Sequence, residues 1–284
     1  MYNLTDTATV KKILEKNGFR FSKSLGQNFI VNSSVCPRMA QECGIDEKSG
    51  VIEVGPGFGV LTMELAKIAK KVVSVELDTR LLPILEDTLS DFDNIKIVND
   101  DILKIDLKKL IEDEFAGMDV YICANLPYYI TSPVIMSLLE SKLPVKSITV
   151  MVQKEAAQRL CAKVGSRDSG AVTVAVNFYA EAEKLFDVSK GSFMPAPKVD
   201  SSVIRLVIRE NPPVKVKDEK FFFDVVKAAF GQRRKTAVNS LSSGLGISKE
   251  KVAAAIKECG FDENVRAEIF TMEEFTKLSD ALNA

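Results

Sequence analysis

Asn125-Leu126-Pro127-Tyr128 puts an amide, a proline-flanked carbonyl and an aromatic ring into four consecutive positions directly after the apolar run VYICA. Such a set suits the exocyclic amine of a nucleobase. The lone pair of an adenine N6 amine is delocalised into its ring, which makes it a poor nucleophile; accepting hydrogen bonds from both amine protons favours a pyramidal nitrogen with a free lone pair. The Asn125 side-chain oxygen and the Leu126 carbonyl, held rigid by Pro127, can accept those bonds. Tyr128 adds a flat face for stacking a base drawn out of its helix. In isolation the tetrapeptide also reads as an ordinary turn, because Asn and Pro are both turn formers.

Upstream, Val51-Ile52-Glu53-Val54-Gly55-Pro56-Gly57-Phe58-Gly59 is a strand running into a glycine turn and then a helix pattern. Glycines let the backbone take positive φ and let a ligand approach without a Cβ clash. At low resolution the stretch is a dinucleotide fingerprint, which is a weak signal alone. Val60 stands where that pattern has its third glycine, and Glu53 lies within the strand end. Glu76 closes the next run, VVSVEL, where a carboxylate can accept both ribose hydroxyls. Asp101 follows IKIVND, where it can accept from an adenine amino group. An acidic rim of this kind faces a positively charged, hydroxyl-bearing nucleoside better than it faces a pyrophosphate. Each acid alone reads as a solvated strand end; together, on one carboxyl edge, they read as a nucleoside site.

The chain has no His, which removes the commonest general base and the commonest metal ligand together. Amine attack tolerates this, since the proton can leave after the new bond forms, and the reading requires no metal. Rate enhancement then rests on holding the amine in line with the group it attacks. The five cysteines, Cys36, Cys43, Cys123, Cys161 and Cys259, are scattered without a C-x-x-C pair and read as reduced thiols.

To position these residues the sequence supplies an alternation of short apolar runs and amphipathic stretches from Val51 onward, the β-α-β rhythm of a parallel sheet covered by helices. The runs VIEV, VVSVEL, IKIVND, VYICA, SITVMVQ, AVTVAVNFY and SSVIRLVI read as strands, and a helix is expected near Val10–Leu14, closed by Asn17-Gly18. After Glu210 the segment NPPVKVKD reads as a linker, and the remaining periodicity is helical. The expected architecture is α/β: a Rossmann-like parallel sheet over residues 1–209 with a small all-α C-terminal domain over 210–284.

The E-x-G-x-G-x-G turn resembles motif I of methyltransferases that use S-adenosylmethionine. SLGQNFIV, VIEVGPGFGVLTMEL, VVSVELD, NDDIL, NLPYYITSPV, MVQKEAAQRL, GSFMPAPKVDSSVIRL and AFGQRRKTAVNSL run nearly end to end. Together they strongly resemble the small-subunit (16S-type) ribosomal RNA adenine N6,N6-dimethyltransferases. That resemblance implies that the Rossmann-like sheet is that of an S-adenosylmethionine methyltransferase, with S-adenosylmethionine as cofactor and a cofactor pocket lined by Asn28, Ile30, Gly55, Glu76, Asp101 and Asn125. It implies that Asn125, Leu126 and Tyr128 hold the target base and that Phe193, from the proline-rich loop, closes the pocket opposite Tyr128; the alternative for Phe193 is anchoring its loop in the core. The implied reaction dimethylates two adjacent adenosines in the 3′-terminal hairpin loop of small-subunit rRNA within an assembling subunit. The macrolide-resistance type of large-subunit rRNA adenine methyltransferase is the nearest rival, although NLPY stands where that group usually has NIPY. An assembly factor without catalysis and an NAD-dependent oxidoreductase are weaker rivals, given the intact tetrad and the glycine spacing.

A net charge of −1 means that any RNA-binding surface must be local. Arg233, Arg234 and Lys235 form one cationic cluster, with Lys227 upstream and Lys154, Arg159 and Lys163 near helical spacing. Charge runs are often solvated faces, yet two basic faces on one cleft would grip phosphates. The start of the chain lacks the unbroken apolar run of a signal peptide, and no segment is long enough to span a bilayer. A monomeric, cytoplasmic protein without membrane contact is therefore expected.

Overall fold

The computed structural model describes residues 2–22, 26–232 and 234–283. Its strands among the described residues are β1 (Phe29–Ile30), β2 (Gly50–Val54), β3 (Lys71–Glu76), β4 (Ile95–Asn99), β5 (Val120–Asn125), β6 (Val145–Gln153), β7 (Ala180–Val188), β8 (Phe193–Met194) and β9 (Ser201–Ile208). All but β1 and β8 join one sheet in the order β4-β3-β2-β5-β6-β9-β7. The pairs from β4 through β6 are parallel, and β9 runs antiparallel to β6.

From β2 the chain builds outward in two directions, to β3 and β4 on one side and to β5 and β6 on the other. The crevice between β2 and β5 is thus a topological switch point, where open α/β sheets receive ligands at their carboxyl ends. Every residue of β2 is buried, as suits a parallel strand covered on both faces. One buried cluster joins Val51, Val72 and Cys123 to Met39 and Leu65 of flanking helices. A second joins Val10 and Ile13 of the N-terminal helix Thr7–Lys16 to Phe19, Phe29, Phe58 and Leu85.

By contacts the chain divides into two compact units, Met1–Ala157 with Glu183–Ile208, and Gln158–Ala182 with Arg209–Ala284. The second is discontinuous, adding residues 158–182 to the C-terminal segment. Within it Phe178 packs against Phe222 and Phe223 at centroid distances of 5.5 and 5.2 Å. Gly244 lets two helices approach closely, since a Cβ there would lie 2.6 Å from that of Ala228.

The stretch AVTVAVNFY and the strand after it differ from the sequence reading. AVTVAVNFY is a helix, Ala171–Tyr179, rather than a strand, with Thr173, Val174, Ala175, Val176 and Phe178 all buried. A helix buried on nearly all sides loses its polar stripe, and its valines then mimic a strand. The turn before it favours the helix, because the Gly170 N–H donates to the Thr173 hydroxyl at 3.0 Å. The strand follows immediately as β7, whose charged alternate positions hid it. Among the described residues no helix is long and apolar enough to cross a membrane.

Candidate active site

Asn28, Ile30, Gly55, Glu76, Asp101, Asn125, Leu126 and Tyr128 line one cavity at the carboxyl ends of β2 to β5. Its floor is the glycine turn. Gly55, Gly57 and Gly59 hold φ of 68°, 60° and 89°, a region that strains any residue with a Cβ. A Cβ on Gly55 would meet nothing within 4 Å, whereas one on Gly57 would lie 2.9 Å from the Phe29 ring. Phe29 in turn stacks on Phe58 at a centroid distance of 3.9 Å and 11° between planes. The turn is therefore packed from the side of the N-terminal segment and open at Gly55.

Two buried carboxyls stand beside it. Glu53 is 1% exposed; its Oε2 accepts from the Thr62 and Ser74 hydroxyls at 2.6 and 2.7 Å, while Oε1 is buried without a partner among the described residues. Burial pushes its carboxyl up to about 7. Glu76 accepts from the Asp78 N–H at 2.8 Å, and burial pushes it too up to about 7. Asp101 is more open, its Oδ1 accepting from the Leu103 N–H at 3.0 Å and its Oδ2 lying 3.5 Å from Lys104 Nζ.

Buried polar atoms ordinarily find partners, so the orphaned Glu53 oxygen in a cavity wall, the open space at Gly55 and the acceptor Glu76 fit a ligand that brings positive charge and hydroxyl donors. S-adenosylmethionine is such a ligand. Glu76 would hold its ribose, Asp101 its adenine edge, and Asn28, Ile30 and Gly55 its walls.

The tetrad is fixed at both ends. Asn125 closes β5, and its Nδ2 donates to the Asn28 carbonyl at 3.2 Å. That bond sets the amide so that Oδ1 is the atom left to accept. The Leu126 side chain is 1% exposed, and its N–H donates to the Met151 carbonyl on β6 at 3.3 Å. Pro127 offers its carbonyl to the Ile130 N–H at 3.1 Å, which starts the helix Thr131–Glu140. The Tyr128 hydroxyl and the Ser201 hydroxyl on β9 share a hydrogen bond of 2.7 Å. This tether, with partial burial, holds the ring in place, and burial raises the phenol above its ordinary value.

Phe193 is not brought to the cavity. β8 pairs antiparallel with β1, setting Phe193 opposite Ile30, and the ring is 4% exposed in the buried cluster that contains Met39 and Val203. Strand pairing buries it beside Ile30, so the proline-rich loop is anchored in the core through Phe193, which is not among the residues lining the cavity. Ser201, at the end of that loop, is what meets Tyr128.

Gln27 is a further residue that motif reading passed over. Its Nε2 donates to Asp78 Oδ2 at 2.8 Å and its Oε1 accepts from the Ser22 N–H at 2.8 Å. Asp78 also holds Arg80 at 2.6 Å, and the guanidinium keeps its carboxyl below the ordinary value. Gln27 lies inside the SLGQNFIV segment, beside Asn28, and that position was the available signal.

Of the basic cluster, Arg234 and Lys235 are exposed residues of the second unit, and Arg233 lies outside the described residues. Arg159 and Lys163 belong to the second unit, whereas Lys154 belongs to the first and is paired with Asp187 at 3.1 Å.

A family model described as ribosomal RNA adenine dimethylase matches residues 18–284. Proteins named ribosomal RNA small subunit methyltransferase A from Geobacillus sp. and from Bacillus licheniformis are each 50% identical over 276 residues, covering 96% of this chain and 95% and 94% of theirs. Among solved structures, a dimethyladenosine transferase from Plasmodium falciparum is similar with a TM-score of 0.70 at 24% identity, covering 88% of this chain and 95% of its own. The 23S rRNA methyltransferase ErmE gives a TM-score of 0.66 at 28% identity, covering 90% of this chain and 100% of its own.

Proposed function

Because the chain belongs to the ribosomal RNA adenine dimethylase family, we propose that it dimethylates N6 of two adjacent adenosines in the 3′-terminal hairpin loop of small-subunit rRNA. The observation that carries this reading is the Asn125 amide, oriented by the Asn28 carbonyl in the same cavity as Glu76 and the glycine turn.

S-adenosylmethionine, when bound, supplies an electrophilic methyl on a sulfonium. Asn125 Oδ1 and the Leu126 carbonyl accept from the target amine, favouring a lone pair directed away from the ring plane. The tethered Tyr128 ring stacks on the base and limits its rotation. No side chain needs to remove the proton before attack, consistent with a chain that has no His.

The relatives at 50% identity support a small-subunit target over the large-subunit one. The setting we propose is an assembling subunit in the cytoplasm, with the protein acting as a monomer and its helical unit contacting RNA. Incubation with labelled cofactor and undermethylated small subunits, followed by mapping of the modified nucleotides, tests the reading directly. Label on large-subunit RNA instead, or a null strain altered in macrolide rather than kasugamycin sensitivity, would replace it with the rival.

A further inference from the structure

Two consecutive tyrosines of the chain lie in opposite environments. Tyr128 is partly buried and tethered to Ser201. Tyr129 also lines the cavity, yet it is 57% exposed, and its hydroxyl has no partner among the described residues. Scattered exposed apolar groups are common and need no explanation. This ring is different because it is braced. A Cβ on Gly26, whose φ is 59°, would lie 3.0 and 3.1 Å from Tyr129 Cδ1 and Cε1, and 3.5 Å from Pro127 Cβ. Glycine at 26 thus lets the ring lie against the backbone, supported at the cavity mouth and open to solvent.

We propose that Tyr129 is a second nucleobase subsite, stacking the base next to the one being methylated. This rests on the adenosine reading above. Drawing a nucleotide out of a loop costs stacking energy on the bases it leaves behind. An aromatic face fixed beside the pocket recovers part of that loss and accepts any base, since every base has a π face. With Tyr128 gripping the target, Tyr129 is the next ring along the same rim. For a substrate of two adjacent adenosines, this subsite holds one while the other reacts.

Tyr129→Phe keeps the face, and Tyr129→Leu keeps a side chain against Gly26 without one. Assayed on undermethylated small subunits, Tyr129→Phe is expected to stay within about threefold of wild type in kcat/KM. Tyr129→Leu is expected to lose about tenfold, which corresponds to about 1.4 kcal/mol and lies within the range of base–aromatic stacking. A photo-crosslinking amino acid at position 129 should attach to a nucleotide adjoining the methylated one. Equal activity of Tyr129→Leu and wild type, or a crosslink remote from the target made by a variant that still methylates, would overturn the subsite alone. Failure of wild type to methylate small subunits would overturn the adenosine reading and this subsite with it.

Discussion

The side chain of Asn125 and the main chain of Asn28, 97 residues apart, meet through one hydrogen bond of 3.2 Å. That bond decides which end of the amide faces the cavity. Had the amide been inverted, its oxygen would lie against a carbonyl and its NH2 would confront the protons of the target amine. In the proposed reaction the N-terminal segment would thus orient Asn125 through its main chain rather than through a side chain of its own.

Asn125→Ala removes the acceptor and should lower methyl transfer by roughly 10²–10³-fold, the loss typical of a deleted transition-state hydrogen-bond partner. Asn125→Asp keeps an oxygen but sets a carboxylate against the Asn28 carbonyl, and should fare little better. Single-turnover transfer at saturating cofactor measures both. A rate near wild type for the alanine variant would remove Asn125 from the chemistry.

Glu76 offers a pH signature. Its carboxyl titrates at about 7 because of burial, and ribose hydroxyls bind the ionised form better. Affinity for S-adenosylmethionine should therefore rise between pH 6 and 8, by up to about tenfold as the ionised fraction grows. Glu76→Gln should flatten that part of the rise, and Glu76→Ala should weaken binding by roughly 1.5–3 kcal/mol. Calorimetry across this range would show an unchanged slope if Glu76 does not touch the cofactor.

Glu53 bears on stability with a definite sign. Its folded carboxyl lies at about 7, above the ordinary glutamate value, so the folded state favours the protonated form. The associated stability is complete below about pH 4 and is lost as pH rises through 7, with a ceiling of about 3 kcal/mol. Glu53→Gln, which cannot ionise, should melt higher than wild type at pH 8 and close to it at pH 5. Thermal melts at the two values check this; parallel curves would mean that Glu53 is already charged in the fold.

Gly55 separates folding from binding. A side chain there adopts positive φ, at a cost of about 1–2 kcal/mol, but meets no protein atom within 4 Å. Its methyl would instead occupy the ligand's approach. Gly55→Ala should thus fold with a modest drop in melting temperature and lose cofactor affinity far more severely. Intact affinity in a folded Gly55→Ala protein would show that the cavity is used elsewhere.

For RNA, simultaneous replacement of Arg233, Arg234 and Lys235 by Ala should weaken small-subunit binding and flatten its salt dependence, by roughly 0.7–0.9 in log–log slope per lost phosphate contact. Cofactor affinity should not change. A slope identical to wild type would assign the phosphates to other cations.

The parts of this site readable in the sequence are those whose chemistry and backbone demands coincide. Glu76 and Asn125 close apolar runs, and Gly55 occupies a positive-φ turn that favours glycine, so pattern and place in the cavity coincide. For Phe193 the sequence left two readings open, pocket closure and core anchoring, because pairing between Phe29–Ile30 and Phe193–Met194 leaves no periodic trace in two-residue strands. Gln27 and Ser201 act through partners far away in the chain, Asp78 and Tyr128, and no local spacing encodes such a partner. The helix Ala171–Tyr179 was hidden for a different reason: burial around most of its circumference erased the polar face that periodicity needs.

The antiparallel contact between Phe29–Ile30 and Phe193–Met194 also sets a schedule for biosynthesis. Beside it, Asn32 Nδ2 donates to the Ser192 hydroxyl, 160 residues later in the chain. At about 5–20 residues per second, a nascent chain waits roughly 8–30 s between making one partner and the other. Throughout that interval Phe29 and Ile30 lack their strand partner, and the cavity they help to wall is finished only when about two thirds of the protein has emerged.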